Sequence, residues 1–321
     1  MRSSKRGFLV LAAFLAARPA PVWSVPIYGD DDRKDLYEIE DTKILQLAKS
    51  TVALFEDDMV KIEGEKAILA TKKFWESRKL AKGERFYEQP AGAFCSGALV
   101  GADLVLTADH CLSPLLRILK WKKEDLCEQT KFVFDFAILK GGQDPTKVPA
   151  RNIYGCAKIL KGSEWHKYTT GRFSDWTLVR LDRPVKDREP LDVNTSGEIK
   201  EGTKVFAIGH PNGLPTKVVS GGAVRENCKS EYFFTANLDV FPGDSGDPVF
   251  NSETTLIEGI EVKSGDDDFI FAADGECKSN VLPQDGGNGI GSTKVSMFLK
   301  ELEAALKDSP PFDKSSKPVE K

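Results

Sequence analysis

Three separate segments of the sequence carry residue types that could act together in nucleophilic catalysis. His110 follows a hydrophobic run at 104–108, and Asp175 directly precedes another at 176–181. Ser245 lies in a tight turn flanked by glycines. A serine hydroxyl is a poor nucleophile alone and needs a base within hydrogen-bond reach and a group that orients the base. The order His, Asp, Ser, at intervals of 65 and 70 residues, predicts such a set.

The residues around Ser245 are also suited to stabilise a negatively charged oxygen. Acyl transfer develops an oxyanion, and backbone N–H groups aimed at it lower the barrier. Gly243 lets the chain turn so that its own N–H and that of Ser245 can point at one spot. The turn therefore predicts an oxyanion hole formed by Gly243 and Ser245.

Other acidic and histidine residues are weaker candidates. Asp109 adjoins His110, but neighbours on a strand point to opposite faces, so Asp109 cannot easily orient the ring. His210 lies in a Pro- and Gly-rich stretch and is interpreted as a turn residue. His166 belongs to no motif and is placed on the surface. Asp175 is therefore the predicted orienting acid.

The elements that position these residues are predicted to be short β-strands. From Ser50 onward, runs of about five residues are separated by turn residues, which is typical of an all-β barrel or sandwich. Strand–helix alternation of the doubly wound kind is missing from the pattern. The clearest helical segment is Ser292–Asp308, capped by Ser292 or Thr293, with five apolar residues on one face: Val295, Phe298, Leu299, Leu302 and Leu306.

At this point the sequence resembles the chymotrypsin/trypsin-like serine proteases, and most closely the secreted bacterial branch that includes glutamyl endopeptidases. The resemblance runs from Ser50 to Lys307. It is carried by TADHC (107–111), SDWTLVRLD (174–182) and GDSGDP (243–248), with support from CSGALV (95–100), IGHPNGLP (208–215) and NLD (237–239).

The resemblance implies a fold and a set of roles. The fold would be two antiparallel six-stranded β-barrels with the catalytic residues at their interface. His110 would be the general base, Asp175 the orienting acid and Ser245 the nucleophile, acting on protein or peptide substrates without a cofactor. The expected domain limits are 50–190 for barrel one, 191–291 for barrel two, 292–307 for a C-terminal helix and 308–321 for a disordered tail.

Substrate preference is predicted from two acidic residues. Asp239 lies six residues before Ser245, where trypsin-like members have the floor of the specificity pocket. Glu261 replaces the pocket-wall His of glutamyl endopeptidases. A carboxylate at the end of a slot pairs with a long basic side chain, so both favour cleavage after Arg or Lys. Alternatively, Asp239 is a structural carboxylate bonded to backbone N–H groups. The family usually has a small residue after Ser-Gly, whereas this chain has Asp247. Asp247 is expected either to face solvent or to disturb the turn.

Six cysteines, an even number, fit a disulfide-bonded exported protein. Spacing alone cannot choose among the pairings that six cysteines allow. The resemblance implies Cys95–Cys111. Cys127–Cys156 would be a local bridge on an insertion in barrel one, and Cys228–Cys277 would remain. A structural zinc site is the alternative, but the chain has no CxxC pair and its three histidines are widely spread.

The N-terminal region predicts export. A basic start and a ten-residue apolar core at 8–17 predict a signal peptide over residues 1–24. The apolar core is too short to span a bilayer as a helix. Residues 25–49 form an arm or a short pro-segment. Cleavage after Lys34 would create a new terminus whose amine could pair with Asp244, as in trypsin-like proteases. In the alternative interpretation, Asp244 bonds to local backbone.

Charge and hydropathy limit the partners. The formal charge of −4 becomes −8 without residues 1–24, which hold four basic and no acidic residues, and this argues against nucleic acid. No later apolar run reaches membrane-spanning length, so the product is predicted to be a soluble monomer in the extracellular space or periplasm. Two functions remain: an active secreted serine endopeptidase, or a catalytically idle binding or adhesion protein on the same fold.

Overall fold

The computed structural model describes residues 27–112, 123–163, 174–225, 230–263, 269–271, 277–279, 281–287 and 289–313. The predicted signal peptide, His166 and Cys228 lie outside these described residues, as do residues 314–321 of the predicted tail.

Short strands make up most of the described chain. In the first half they are β1 (Ile27–Tyr28), β2 (Arg33–Asp35), β3 (Thr51–Glu56), β4 (Val60–Glu63), β5 (Lys66–Leu69), β6 (Lys72–Lys73), β7 (Pro90–Ala91), β8 (Cys95–Gly101), β9 (Leu104–Thr107), β10 (Thr130–Val133), β11 (Lys147–Pro149), β12 (Ile153–Gly162) and β13 (Thr177–Leu181). In the second half they are β14 (Lys204–Gly209), β15 (Lys217–Ala223), β16 (Phe233–Ala236), β17 (Pro248–Asn251), β18 (Ile257–Lys263), β19 (Phe269–Phe271), β20 (Cys277–Ser279), β21 (Val281–Leu282) and β22 (Ile290–Lys294).

The first half forms the predicted six-stranded barrel. Its strands pair in the closed order β10-β12-β13-β9-β8-β3. The interior is filled by apolar residues that include Val52, Leu99, Phe132 and Val179, each fully buried. Filling the interior of a six-stranded barrel with branched and aromatic side chains leaves a packed core rather than a cavity. The barrel therefore gives a rigid frame to the strand end that precedes His110.

The second half is a seven-stranded sheet rather than a second six-stranded barrel. Among the described residues its order is β16-β22-β18-β17-β14-β15-β2, which is a half-barrel without a closing pair. The seventh strand, β2, comes from the N-terminal region and pairs with β15 through Lys217–Val219. The expectation of two six-stranded barrels is thus confirmed for the first and met in part by the second, whose described residues form a half-barrel with β2 on the edge of β15.

The helices are α1 (Thr42–Lys49), α2 (Phe74–Arg78), α3 (Lys123–Glu128) and α4 (Leu299–Lys307). The predicted helix over 292–307 is correct only for its second half. Ser292 and Thr293 belong instead to β22, where Thr293 pairs with Ile260 and with Phe233. Within the described residues, no helix combines the length and the apolar character needed to cross a bilayer.

One apolar core joins the two halves of the fold. It includes Leu106 from the barrel and Ile208, Phe250 and Ile260 from the sheet, all fully buried. Trp176, next to Asp175, packs against Phe298 with ring centroids 6.0 Å apart. Because interiors are close-packed, this shared core fixes the barrel against the sheet. The segments that carry His110, Asp175 and Ser245 meet along that junction.

Candidate active site

The structure brings His110 and Asp175 into direct contact. His110 lies in a short helical turn, Asp109–Leu112, just after β9. Its Nδ1 is 2.6 Å from Asp175 Oδ2, while Asp175 Oδ1 accepts the backbone N–H groups of Asp109 at 2.7 Å and His110 at 3.1 Å. Asp175 is only 1% exposed. The same carboxylate therefore holds both the imidazole ring and the turn that carries it.

Thr293 fixes Asp175 from the second half of the fold. Its hydroxyl oxygen accepts the Asp175 N–H at 3.1 Å, and its hydroxyl proton is donated to the Asp175 carbonyl at 3.0 Å. Sequence reasoning missed this role because it assigned Thr293 to a helix cap. Only the pairing of β22 with β18 brings Thr293 to Asp175, and no local pattern in the sequence signals that contact.

The turn around Ser245 is held by its own backbone. Asp244 N–H donates to the Phe241 carbonyl at 2.9 Å, and Asp247 N–H donates to the Asp244 carbonyl at 2.7 Å. Gly243 has φ of 109°, and a Cβ there would come within 2.7 Å of the His210 carbonyl oxygen. Only glycine fits this backbone angle and this close approach.

The turn is attached to the barrel beside His110. Ser96 N–H donates to the Ser245 carbonyl at 2.9 Å, and Ser96 Oγ donates to the Gly243 carbonyl at 2.8 Å. Cys111, which forms the predicted disulfide with Cys95, has its Sγ 3.6 Å from the Ser245 carbonyl oxygen. Ser245 is thus brought next to the residue that follows His110. Within the described residues, Ser245 Oγ and His110 Nε2 are not hydrogen-bonded to each other; such bonds often tighten only with substrate bound.

Two N–H groups of the turn are free to bind an oxyanion. Gly246 N–H donates to the Glu261 carbonyl at 2.7 Å, and those of Asp244 and Asp247 are used as described above. In the described part of the chain, neither the Gly243 nor the Ser245 N–H has an acceptor. These are the two donors that the sequence predicts for the oxyanion hole.

The environment of His110 favours its protonated form. Burial by itself lowers the pKa of the imidazole, but the negative charge and hydrogen bond of Asp175, with a smaller contribution from Asp109, outweigh burial and raise the pKa above the usual 6.5. The side chain remains about one-fifth exposed, so substrate can reach it. A base with a raised pKa holds the proton that it removes from a nucleophile more firmly.

Comparison with known proteins identifies the family. A family model described as a trypsin-like peptidase domain matches residues 95–257, about half of the chain. The chain belongs to the trypsin-like peptidase family. The match is to the family as a whole, and the narrower resemblance to a secreted bacterial branch stays a prediction.

Individual relatives of this trypsin-like peptidase are distant. The chloroplastic protease Do-like 1 of Arabidopsis thaliana is 30% identical over 141 residues, which are 40% of this chain and 30% of that protein. The chain thus matches less than a third of that relative's length. Among solved structures, a Glu endopeptidase in complex with MPD has a TM-score of 0.49 at 12% identity, covering 88% of this chain and 99% of that one. A human heparin-binding protein has a TM-score of 0.48 at 14% identity, covering 84% and 95%.

Asp247, which stands where the family pattern has a small residue after Ser-Gly, is buried in this trypsin-like peptidase. The Asp247 side chain is fully buried, and a Cβ on Gly209 would overlap its carboxyl group. Burial, the negative charge of Asp244 and that of Glu261 raise its pKa well above the usual range. Burial also raises the pKa of Asp244 to about 7. Burial and the neighbouring negative charge thus disfavour ionisation of Asp247, which neither faces solvent nor breaks the turn.

Asp244 bonds to local backbone, as one of the two interpretations of the sequence expected. Its Oδ2 accepts the Phe241 N–H at 2.6 Å.

His210 is buried in the neighbouring turn, where its Nδ1 lies 3.0 Å from the Leu214 carbonyl and burial lowers its pKa to about 3. A neutral, buried imidazole agrees with its interpretation as a turn residue.

Asp239 is held by the N-terminal region. Its Oδ1 accepts the Tyr28 N–H at 2.7 Å and its Oδ2 accepts the Asp32 N–H at 3.0 Å, with the residue only 2% exposed. Burial raises its pKa to about 7, although both N–H groups oppose the rise. Glu261 is 3% exposed, and its N–H donates to the Asp247 carbonyl at 2.9 Å. The bonding of Asp239 agrees with the structural alternative rather than with an open pocket floor.

Two of the three predicted disulfides are confirmed. Cys95–Cys111 connects β8 to the turn of His110, with Cα atoms 6.2 Å apart, and Cys127–Cys156 connects α3 to β12. The third, Cys228–Cys277, involves a residue outside the described part. Side-chain atoms of Cys95, His110 and Cys111 lie within 4.8 Å of one another. Since both sulfurs are bonded to each other, they offer no thiolates for the zinc site weighed earlier.

Proposed function

We propose that the chain is an exported serine endopeptidase that hydrolyses peptide bonds through an acyl-enzyme on Ser245. The observation that carries the proposal is the Asp175–His110 contact beside a glycine turn with two unused N–H groups. A buried acid that orients an imidazole and a donor pair for an oxyanion are the two parts that this chemistry needs. Membership of a peptidase family supports the same conclusion.

The steps follow from the roles of these groups. His110 Nε2 takes the proton of Ser245 Oγ as that oxygen bonds to the substrate carbonyl carbon. The carbonyl oxygen becomes negative and accepts hydrogen bonds from the Gly243 and Ser245 N–H groups. The imidazolium, stabilised by Asp175, then gives its proton to the leaving amine, and the C–N bond breaks. A water molecule, deprotonated by His110, releases the acyl group in the same way.

The alternative is a catalytically idle binding or adhesion protein. The two functions separate in one experiment, in which purified full-length protein is treated with a fluorophosphonate probe and the labelled peptide is sequenced. An active enzyme is labelled on Ser245, because the probe requires an activated serine. Absence of label on folded protein would favour the binding function.

Export is proposed from the signal-like residues 1–24. The two disulfides of the described chain support an oxidising destination, extracellular or periplasmic, since such bonds persist there.

We expect activity to rise with pH above 6.5. Only the neutral imidazole of His110 can accept the serine proton, and its pKa is raised by Asp175. The value of kcat/KM should therefore be low at pH 5 and reach half its plateau on the alkaline side of pH 6.5. The measurement is kcat/KM of a neutral peptide across pH, with circular dichroism at each pH to exclude unfolding. A flat profile down to pH 5 in folded protein would contradict His110 as the base.

A preference for Arg or Lys before the cut is proposed on the position of Glu261, because Asp239 is bound to backbone N–H groups and is not assigned to the pocket floor. A panel of peptides that differ only at the residue before the cut tests it, and better cleavage after Glu or Phe contradicts it. Because both oxygens of Asp239 bind backbone N–H groups, we expect Asp239→Asn to slow all peptides by a similar factor. Selective loss of Arg and Lys cleavage would instead make Asp239 the pocket floor.

A further inference from the structure

Residues Ile27–Asp35, here called the anchor segment, are built into the second half of the fold. The segment begins in β1, which pairs in parallel with Val281 and Leu282, and ends in β2, which pairs with β15. Arg85 donates to the Asp31 carbonyl at 2.7 Å. These contacts reach three separate parts of the chain, so the segment is fixed along its length.

The anchor segment also holds the loop that leads to Ser245. The backbone N–H groups of Tyr28 and Asp32 occupy both carboxylate oxygens of Asp239, the first residue of that loop. Two residues further on, the ring of Phe241 lies under the Arg33 guanidinium, 4.3 Å from its carbon to the ring centroid. The segment thus contacts the loop at two residues before Gly243, namely Asp239 and Phe241.

Arg33 is a buried cation with a defined geometry. It is 2% exposed and binds Asp31 through two parallel hydrogen bonds, at 2.9 and 2.7 Å. A guanidinium held in this way and stacked on an aromatic ring fixes the ring more firmly than a flexible ammonium would. Arg33 therefore restrains both the orientation of the Phe241 ring and its distance from the guanidinium.

Arg33 also balances negative charge beneath the nucleophile turn. Four acidic residues are buried there: Asp239, Asp244, Asp247 and Glu261. The positive charge of Arg33 lowers the pKa of both Asp239 and Asp244, against the larger effect of burial. Lys217, fully buried, forms an ion pair with Asp35 at 2.7 Å, so the end of the anchor segment holds the second cation of this region as well.

We propose that the anchor segment is a permanent part of the working site and that Arg33 is a positioning residue, which holds the loop from Asp239 to Ser245 so that the Gly243 and Ser245 N–H groups meet the oxyanion. This inference rests on the proposed function. It favours the N-terminal arm over the pro-segment for residues 25–49, and it opposes the separate hypothesis of a cut after Lys34. Such a cut would fall inside β2, between Lys34 and Asp35.

The path from Arg33 to the reaction is short. Phe241 donates its N–H to Asp244 and lies two residues before Gly243. If Phe241 moves, both the Gly243 N–H and the backbone of Ser245 move with it. A displacement of about 1 Å in such a group can cost about 10²-fold in rate. The effect falls on the transition state, so it should lower kcat more than it raises KM.

Three full-length variants test the proposal: Arg33→Ala, Arg33→Lys and Lys34→Ala. Lys34 is the matched control, because it is the next residue of the same strand and its side chain is exposed. We expect Arg33→Ala to lose about 10²-fold in kcat and in fluorophosphonate labelling rate, with KM nearly unchanged. Arg33→Lys should recover part of the loss, because it keeps the charge without the paired hydrogen bonds. Lys34→Ala should match the wild type.

The outcomes separate this proposal from the proposed function. Equal kcat in Arg33→Ala and Lys34→Ala overturns the role of Arg33 and leaves the peptidase intact. A folded wild type that is never labelled overturns both. N-terminal sequencing of the labelled wild type gives a measurement that does not depend on the variants folding. Labelled chains that retain Arg33 support the proposal, and labelled chains that lack it overturn the proposal.

Discussion

Replacing Ser245 by alanine is expected to reduce the kcat of peptide hydrolysis by about 10⁶-fold. The loss is this large because the members of a catalytic set act as a unit, and without the oxygen no acyl-enzyme can form. The fold should survive, since the contact that attaches the turn to the barrel uses the Ser245 carbonyl and not its hydroxyl. The measurements are kcat on a cleaved peptide and the midpoint of thermal unfolding.

Ser252→Ala is the matched control for this substitution. Ser252 is an exposed turn residue whose N–H donates to the Lys204 carbonyl at 2.9 Å, a bond that alanine keeps. It should retain wild-type kcat. Ser245→Ala with turnover within about tenfold of the wild type would show that another group is the nucleophile.

The strands of the barrel could be predicted from sequence because their polarity patterns are local. The hydrophobic run at 104–108 is observed as strand Leu104–Thr107, and the one at 176–181 as Thr177–Leu181. Residues 98–106 belong to a hairpin of β8 and β9, with a turn at Ala102 and Asp103. Both strands are buried on both faces, so they lack the polar alternation that would mark where each strand ends.

The end of the chain shows where local pattern gives the wrong answer. Residues 292–294 continue the helical spacing of the following residues, but the structure places them in β22 between β16 and β18. Backbone partners on two sides outweigh a weak helical preference in a segment with a β-branched residue. The sheet order that creates this slot depends on residues far away in the sequence.

The catalytic candidates were recognisable because each lies in a short motif, whereas the residues that support them do not. Thr293 reaches Asp175 across 118 residues of sequence, and Tyr28 reaches Asp239 across 211. From the sequence, Asp239 could be either the floor of the specificity pocket or a structural carboxylate bonded to backbone N–H groups. Its partner lies in the anchor segment, which has no motif that could have decided the question.

Replacing Asp175 by asparagine is expected to lower kcat by about 10⁴-fold without unfolding the protein. The amide nearly matches the carboxylate in shape, so it can still accept the Asp109 and His110 backbone N–H groups. It cannot stabilise the imidazolium, and its NH₂ group favours the wrong tautomer of His110. The main influence that raises the pKa of His110 is also removed, so burial, opposed by the charge of Asp109, lowers the pKa. The residual activity should therefore rise at a lower pH than in the wild type, which a kcat/KM profile across pH measures.

Asp109→Asn is the control that decides which acid orients His110. Asp109 contributes to the raised pKa of His110, but it meets Asp175 through its backbone N–H, which asparagine retains. We therefore expect Asp109→Asn to lose far less activity than Asp175→Asn and to keep the rise of the profile nearer to that of the wild type. If Asp109→Asn loses more, Asp109 is the orienting acid, and the 2.6 Å contact between Asp175 and His110 does not serve catalysis. The comparison needs only the two variants and one peptide, because both substitutions remove the same charge within one cluster of hydrogen bonds around His110.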